Sequence, residues 1–360
     1  MKNRMSTSHD SPEGQGGKAD RIQGQTVQWP QWIRNFLLVL LLYAVFEIPI
    51  ANKDINRYYS GILIMICINI ILTVSLNLVS GFLGQLVLGH AGFMSVGAYT
   101  AALFSMNSGL PENAAFPLGL LAGGLVAALF GVIIGIPALR LHGDYLAIIT
   151  LGFGEIIRVL ILAMPFTGGA RGLTVKTMIS RHPDAFFSWS FGLAALTVFT
   201  AYTFIHSRHG RAVIAIREDE IAAEASGINT TYYKLITFVF SAFLAGIAGG
   251  LYASHVGALT PVKFDFNYST EILVMVVLGG MASITGSIIS ASVLTILPEL
   301  LRDFSAYRML VYSIILIIVM LFRPSGLMGE REFSMNRFVG FLRTFFSRSR
   351  RKPDSSRGDA

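Results

Sequence analysis

Charge is scarce in this chain. Asp, Glu, Lys and Arg make up 14% of its 360 residues, where a soluble protein carries about a quarter. Apolar runs of roughly 15 to 27 residues recur instead, and about 20 suffice to cross a bilayer as a helix. An ordinary soluble domain is therefore excluded. Cysteine is almost absent: Cys67 stands alone. It supports neither a disulfide nor a thiolate metal site, and inside an apolar run it reads as a packing residue. Period-2 alternation is missing, which excludes a closed β-barrel, the other way to satisfy the backbone in lipid. Gly89-His-Ala-Gly-Phe-Met-Ser95 is not a nucleophile elbow, and no phosphate-binding loop ends in Lys-Ser or Lys-Thr. No His/Cys/carboxylate cluster has metal-ligand spacing. The chain thus carries no catalytic set of its own, and no cofactor is expected in it. The net charge of +7 does not point to nucleic acid, because the basic residues gather at the ends and in one central loop, as on the cytoplasmic flanks of membrane helices. Residues 1–34 hold no apolar core, so no cleaved leader is expected.

What remains is an all-α, polytopic transmembrane helical bundle. Residues 1–34 read as a polar, disordered cytoplasmic terminus. A membrane domain is expected over 35–329 and a basic cytoplasmic tail over 330–360. Within the tail, Arg348, Arg350, Arg351 and Lys352 lie beside Phe341, Phe345 and Phe346, a composition suited either to anionic lipid or to a disordered tail. Spans are expected near 36–50, 61–81, 86–106, 115–139, 145–164, 188–206, 233–254, 270–296 and 308–322. Nine crossings would put the two basic termini on opposite sides, against the positive-inside rule. The 270–296 run resolves this. It is too long for one plain span and contains Leu278-Gly-Gly-Met-Ala-Ser-Ile-Thr-Gly286, whose glycines weaken a helix. A break there gives two shorter segments, either both crossing or one of them re-entrant. A second Gly-rich stretch, Ser80 to Gly92, interrupts the other half. Paired interruptions suit a transporter with its path between two related halves, and they equally suit close helix packing through small residues.

Polar groups inside spans are costly, so each is a candidate. Asn77, Gln85, His90, Ser95, Tyr99, Glu155, Gly279 and Gly280 are the residues expected along a translocation path, with Asn69, Thr73 and Ser75 beside them. A lone His90 is more often a hydrogen-bonded core residue than a proton carrier. Glu155 and Arg158 are three apart, share a helix face and are expected to pair within the bundle. Asp144 suits a helix start. Thr167 to Leu173 reads as an external turn cluster.

The long polar loop 207–232 stands out against these spans. It carries Arg208, Arg211 and Arg217, then Glu218, Asp219, Glu220 and Glu224. A short helix is expected from Glu218 to a C-cap at Gly227. Ala222, Ala223 and Ala225 would give it a small-residue face that another protein can approach.

Six stretches make the chain resemble the M-type permeases of branched-chain amino-acid ABC importers. They are Leu76–Tyr99, Gly143–Arg158, Thr167–Leu173, Gly210–Ile228 and the pair Glu271–Gly280 with Leu321–Gly329. The resemblance implies a multi-pass protein of the bacterial inner membrane. It also implies a second, H-type permease, two cytoplasmic ATPases that consume the ATP, and a periplasmic binding protein. It makes 207–232 the ATPase-coupling loop, with Arg217, Glu218, Glu220, Ala222, Ala223, Glu224, Ala225 and Gly227 as its working residues. The general importer pattern is Glu-Ala-Ala, three residues, then Gly. Here Ile221 fills the Glu place, and Glu220 sits one position early. The cargo stays open between branched-chain amino acids and urea or short amides. An ion-coupled secondary transporter built on Glu155 is the reading from a different class.

Overall fold

The computed structural model describes residues 31–51, 56–141, 143–175, 183–302, 307–323 and 326–329. The polar N-terminal tail before residue 31, the basic tail from residue 330, and Lys176 and Arg181 lie outside them. Residues 1–42 and 43–360 form two compact units. The described part of the first is the opening of α1 (Gln31–Ala51). The second contains the remaining elements.

Eleven further helices follow among the described residues: α2 Arg57–Asn77, α3 His90–Asn107, α4 Glu112–Ala138, α5 Asp144–Ala163, α6 Pro183–His206, α7 Arg208–Glu218, α8 Glu220–Ala225, α9 Thr230–Val256, α10 Phe266–Gly279, α11 Ile284–Leu300 and α12 Arg308–Phe322. Five are long and apolar enough to cross a bilayer: α2 with the turn that extends it to Phe82, α4, α5, α6 and α9. The 270–296 run is broken as expected, into α10 and α11. Two features were not anticipated. A two-residue ladder pairs Leu173–Thr174 (β1) with Ala258–Leu259 (β2). The central loop also holds two helices instead of one.

Packing explains which helices sit at the centre. α3, α4 and α9 meet through glycine. A Cβ on Gly97 would lie 2.2 Å from the Gly246 carbonyl oxygen, and one on Gly123 would lie 2.6 Å from that of Gly97. Without a hydrophobic driving force between helices in lipid, such backbone approach is what holds them. α2 is buried along most of its length, with Ile68, Ile71, Leu72 and Leu76 all at 0% exposure. Cys67 is buried among them, as a packing residue would be.

On α2 the residues Asn69, Thr73 and Asn77 are spaced four apart and so share one face. That face meets the α10–α11 hairpin. Asn69 Nδ2 donates to Thr295 Oγ1 at 2.8 Å, Thr73 Oγ1 to Met275 Sδ at 3.5 Å, and Asn77 to residues at the break itself. Within the hairpin, Ser290 Oγ donates to the Met275 carbonyl at 2.6 Å. These polar groups join helices where water is excluded.

Candidate functional site

The two interruptions meet each other. α2 does not stop cleanly at Asn77; it widens into a π-turn over Leu78–Phe82. Residues 83–89 then run without regular structure to α3, which begins four residues later than the apolar pattern suggests. Gly84 supplies a φ of +75° that a side chain would resist. Opposite lies the corner between α10 and α11. There Ala282 takes φ +64°, the one non-glycine positive φ among the described residues, a conformation that costs about 1–2 kcal/mol.

Asn77 clasps this corner. Its Nδ2 donates to the Ser283 carbonyl at 3.0 Å and to Ser287 Oγ at 2.8 Å, while its Oδ1 accepts from the Ala282 N–H at 3.0 Å. Gly279 and Gly286 pack backbone to backbone below it; a Cβ on Gly286 would lie 2.1 Å from the Gly279 oxygen. Gly280, at φ +111°, turns the chain out of α10. The open end of α10 is closed from far along the chain. Leu327 N–H donates to the Leu278 carbonyl at 2.7 Å, and Met328 N–H to that of Gly279 at 3.2 Å.

The polar loop is built by capping. Ser207 Oγ accepts from the N–H groups of His209 and Gly210 and starts α7. Asp219 leaves the helical region (φ −157°, ψ 110°), and its side chain accepts from Ala222 N–H to start α8. The expected helix from Glu218 is therefore corrected. Glu218 ends α7, Asp219 separates the two helices, and α8 begins at Glu220. Ser207 and Asp219 were the legible signals for both starts. Ser226 is the C-cap, and Gly227, one residue beyond it at φ +85°, closes the expected Schellman turn, with Gly227 N–H donating to Glu224 O and Ile228 N–H to Ala223 O.

The face α8 offers outward differs in detail from expectation. Ala223 is buried. Ala222, Glu224, Ala225 and Gly227 are exposed, and Ile221 protrudes at 82% exposure. α8 is braced from behind. Lys234 Nζ, 2% exposed, pairs with Glu220 Oε1 at 2.5 Å, and Thr230 Oγ1 donates to Glu224 Oε1 at 2.6 Å. Arg217 pairs with Glu218 at 2.6 Å and also reaches inward. Its Nη1 donates to the Gly81 carbonyl at 3.4 Å, and its Cγ lies where a Cβ on Gly84 would be, 2.7 Å from it. The polar loop therefore bears directly on the first interruption, and Asn77 joins that interruption to the second.

The other path candidates divide by their hydrogen bonds. His90 is 1% exposed and lies 2.9 Å from Ser75 Oγ, whose single hydrogen is directed to Leu72 O. His90 and Ser75 thus share a buried hydrogen bond, as befits a core histidine. Ser95 Oγ donates to Gly92 O at 2.7 Å. By contrast, Gln85 Oε1, Tyr99 Oη, Ser80 Oγ and Tyr268 Oη are buried without a hydrogen-bond partner. Buried polar groups are seldom left so. Tyr268 was not singled out by sequence, because a tyrosine at a helix start carries no such mark. Glu155 and Arg158 pair as expected at 2.7 Å, but on a face with 32% and 25% of the two side chains exposed.

A family model described as branched-chain amino acid transport system / permease component matches residues 58–321. The high-affinity branched-chain amino acid transport system permease protein LivM of Salmonella typhimurium is 38% identical over 340 residues, covering 85% of this chain and 76% of the relative. LivM of Escherichia coli is 37% identical with the same coverage. A shorter match, 35% identical over 142 residues, joins 39% of this chain to 44% of LivH, a permease protein of the same named system in Escherichia coli. No solved structure matches.

Proposed function

The chain belongs to the family of branched-chain amino acid transport system permease components, and from that premise we propose that it is the M-type, membrane-spanning subunit of an ATP-driven importer of leucine, isoleucine and valine. The relatives' names supply the cargo. The observation that supports the coupling mechanism is the contact of Arg217 with Gly81 and Gly84.

Its partners are an H-type permease, two cytoplasmic ATPases and a periplasmic binding protein, in a bacterial inner membrane. The chain performs no catalysis and holds no cofactor. ATP is bound and hydrolysed by the partner subunits. An even number of passes puts both termini with the α7–α8 loop in the cytoplasm. That places the basic ends on the side the positive-inside rule favours.

The exposed rim of α8, with Ile221 at its tip and Glu218, Asp219 and Glu224 around it, seats in a cleft of an ATPase. Closure of the ATPases displaces α8. Its braces to Lys234 and Thr230 pass the motion to α9, and Arg217 passes it to the π-turn. A push moves a conformational equilibrium only if it is tied to an element with two arrangements. The irregular 78–89 segment and the Ala282 corner are such elements, because neither is held by a continuous helical ladder. Gln85 and Tyr99, with buried and unpartnered polar atoms, are the candidates that face the path in another state. Asn77, His90, Ser95, Gly279 and Gly280 hold its walls.

Uptake of labelled leucine in cells with and without this chain tests the reading, with isoleucine, valine and urea as competitors. Loss on deletion, with competition by isoleucine and valine alone, is the expected result. Undiminished uptake in a strain lacking other leucine importers refutes the cargo.

A further inference from the structure

The Glu155–Arg158 pair is in an unusual place. At about 1.5 Å per residue, Glu155 lies roughly 17 Å along a helix of about 30 Å, near the midpoint of α5 (Asp144–Ala163). Charge facing hydrocarbon at that depth is among the most costly placements in a membrane protein. An ion pair that held the bundle together would join two helices. This one closes on its own helix, three residues apart, and leaves both side chains partly exposed. It therefore staples nothing.

The surroundings have a definite shape. α5 packs on the bundle through Leu146, Thr150, Ile157 and Ile161. Ile148, Gly152, Glu155 and Val159 recur at spacings of four, three and four, so they form one stripe on another face. Ile148 and Val159 are exposed at 63% and 52%. A Cβ on Gly152 would meet nothing within 4 Å, so the helix surface is bare one turn from the carboxylate. The stripe thus offers one negative group with apolar flanks, and Arg158, three residues on from Glu155 and paired with it, adds the positive one.

We infer that this stripe is a binding subsite for a zwitterionic α-amino acid in transit. The inference rests on the amino-acid cargo proposed above. Glu155 takes the ammonium group, Arg158 takes the carboxylate through its planar fork of donors, and Ile148 and Val159 border the aliphatic side chain. Charge balance favours this exchange. The empty site neutralises itself, and the occupied site neutralises the zwitterion, so no uncompensated charge is left at the middle of the membrane in either state. A neutral amide such as urea offers no such exchange.

The whole importer in proteoliposomes, with both permeases, the ATPases and the binding protein, tests the inference in two ways. Cys67 is the sole native cysteine of this chain and is buried, so Gly152→Cys gives a reporter over a quiet background when the labelled band of this chain is read separately from its partners. A charged, water-soluble thiosulfonate is expected to label it, and leucine turnover is expected to slow labelling about fivefold, with urea having no effect. No labelling in the assembled importer overturns the subsite. Glu155→Gln and Arg158→Gln are each expected to lower leucine moved per ATP hydrolysed by about tenfold, with ATPase stimulation by the binding protein within about twofold of wild type. Unchanged leucine per ATP in both variants also overturns it. If neither variant assembles, the labelling result decides alone. The wild-type arm separates the two readings: vesicles that take up no leucine refute the cargo, whereas wild-type uptake with insensitive variants refutes the subsite only.

Discussion

Replacing Asn77 with alanine should damage the protein far more than the same change at Asn69. Both residues sit on the buried face of α2, one helical turn apart from Thr73, and both bond to α11. Asn69 makes a side-chain bond to Thr295, worth about 0.6 kcal/mol in a membrane. Asn77, 1% exposed, makes two such donations and also accepts the Ala282 N–H. Ser283 O keeps its bond from Ser287 N–H when Asn77 is lost. The Ala282 N–H has no such reserve in the structure, and leaving it partly buried and unmade costs about 1–3 kcal/mol. The sum is about 2–4 kcal/mol for Asn77→Ala, against about 0.6–1 for Asn69→Ala. Reversible unfolding of the purified permease in mixed micelles, titrated with SDS, measures both. Equal losses for the two variants, or a loss below about 0.5 kcal/mol at Asn77, would refute the idea that this amide holds the Ala282 corner.

Three other outcomes follow from the same geometry. Gly84→Val should cost about 1–2 kcal/mol from its positive φ and should displace Arg217, so ATP hydrolysis is expected to persist while uptake per ATP falls; paired ATPase and uptake assays read this. Replacing Glu224 and Gly227 together with alanine removes the bond to Thr230 and the Schellman turn, and is expected to abolish transport with membrane levels unchanged on immunoblot. Gly97→Ala places a methyl 2.2 Å from the Gly246 oxygen and should cost about 1–3 kcal/mol or more from overpacking, seen as a lower melting temperature in detergent, whereas Gly152→Ala, with open space at its Cβ, should leave it unchanged or raise it slightly.

Much of the architecture could be read in the chain because membrane helices announce themselves by length and by lack of charge. The split of 270–296 was legible for a local reason: three glycines inside an apolar run, backed by the parity of basic flanks. The Glu155–Arg158 pair was legible from spacing alone. Its exposure was not, because which side of α5 the bundle covers depends on Gly92 and Gly154 meeting across two helices. The clasp of Asn77 on Ala282 was hidden for the same reason. Nothing local marks Ala282 for a left-handed conformation; the amide of a distant helix imposes it. α7 was overlooked because Arg208, His209 and Gly210 resemble a loop, and only the capping hydroxyl of Ser207 reveals the start. Arg217 was placed with the docking residues by the family resemblance. Its contact with Gly81 shows that it also serves as an inward strut.

The closure of α10 by residues 327 and 328 bears on how the protein is made. A ribosome delivers α10 and α11 before α12, so the carbonyls of Leu278 and Gly279 wait uncapped while the last helix is still being synthesised. The Ala282 corner therefore acquires its full set of bonds only when the chain has been read through to its final motif. A nonsense mutation within α12 would leave every earlier helix able to insert, yet with raw backbone at the break. The closing strap thus acts as a completion mark, by which a finished permease differs from a truncated one at the Ala282 corner.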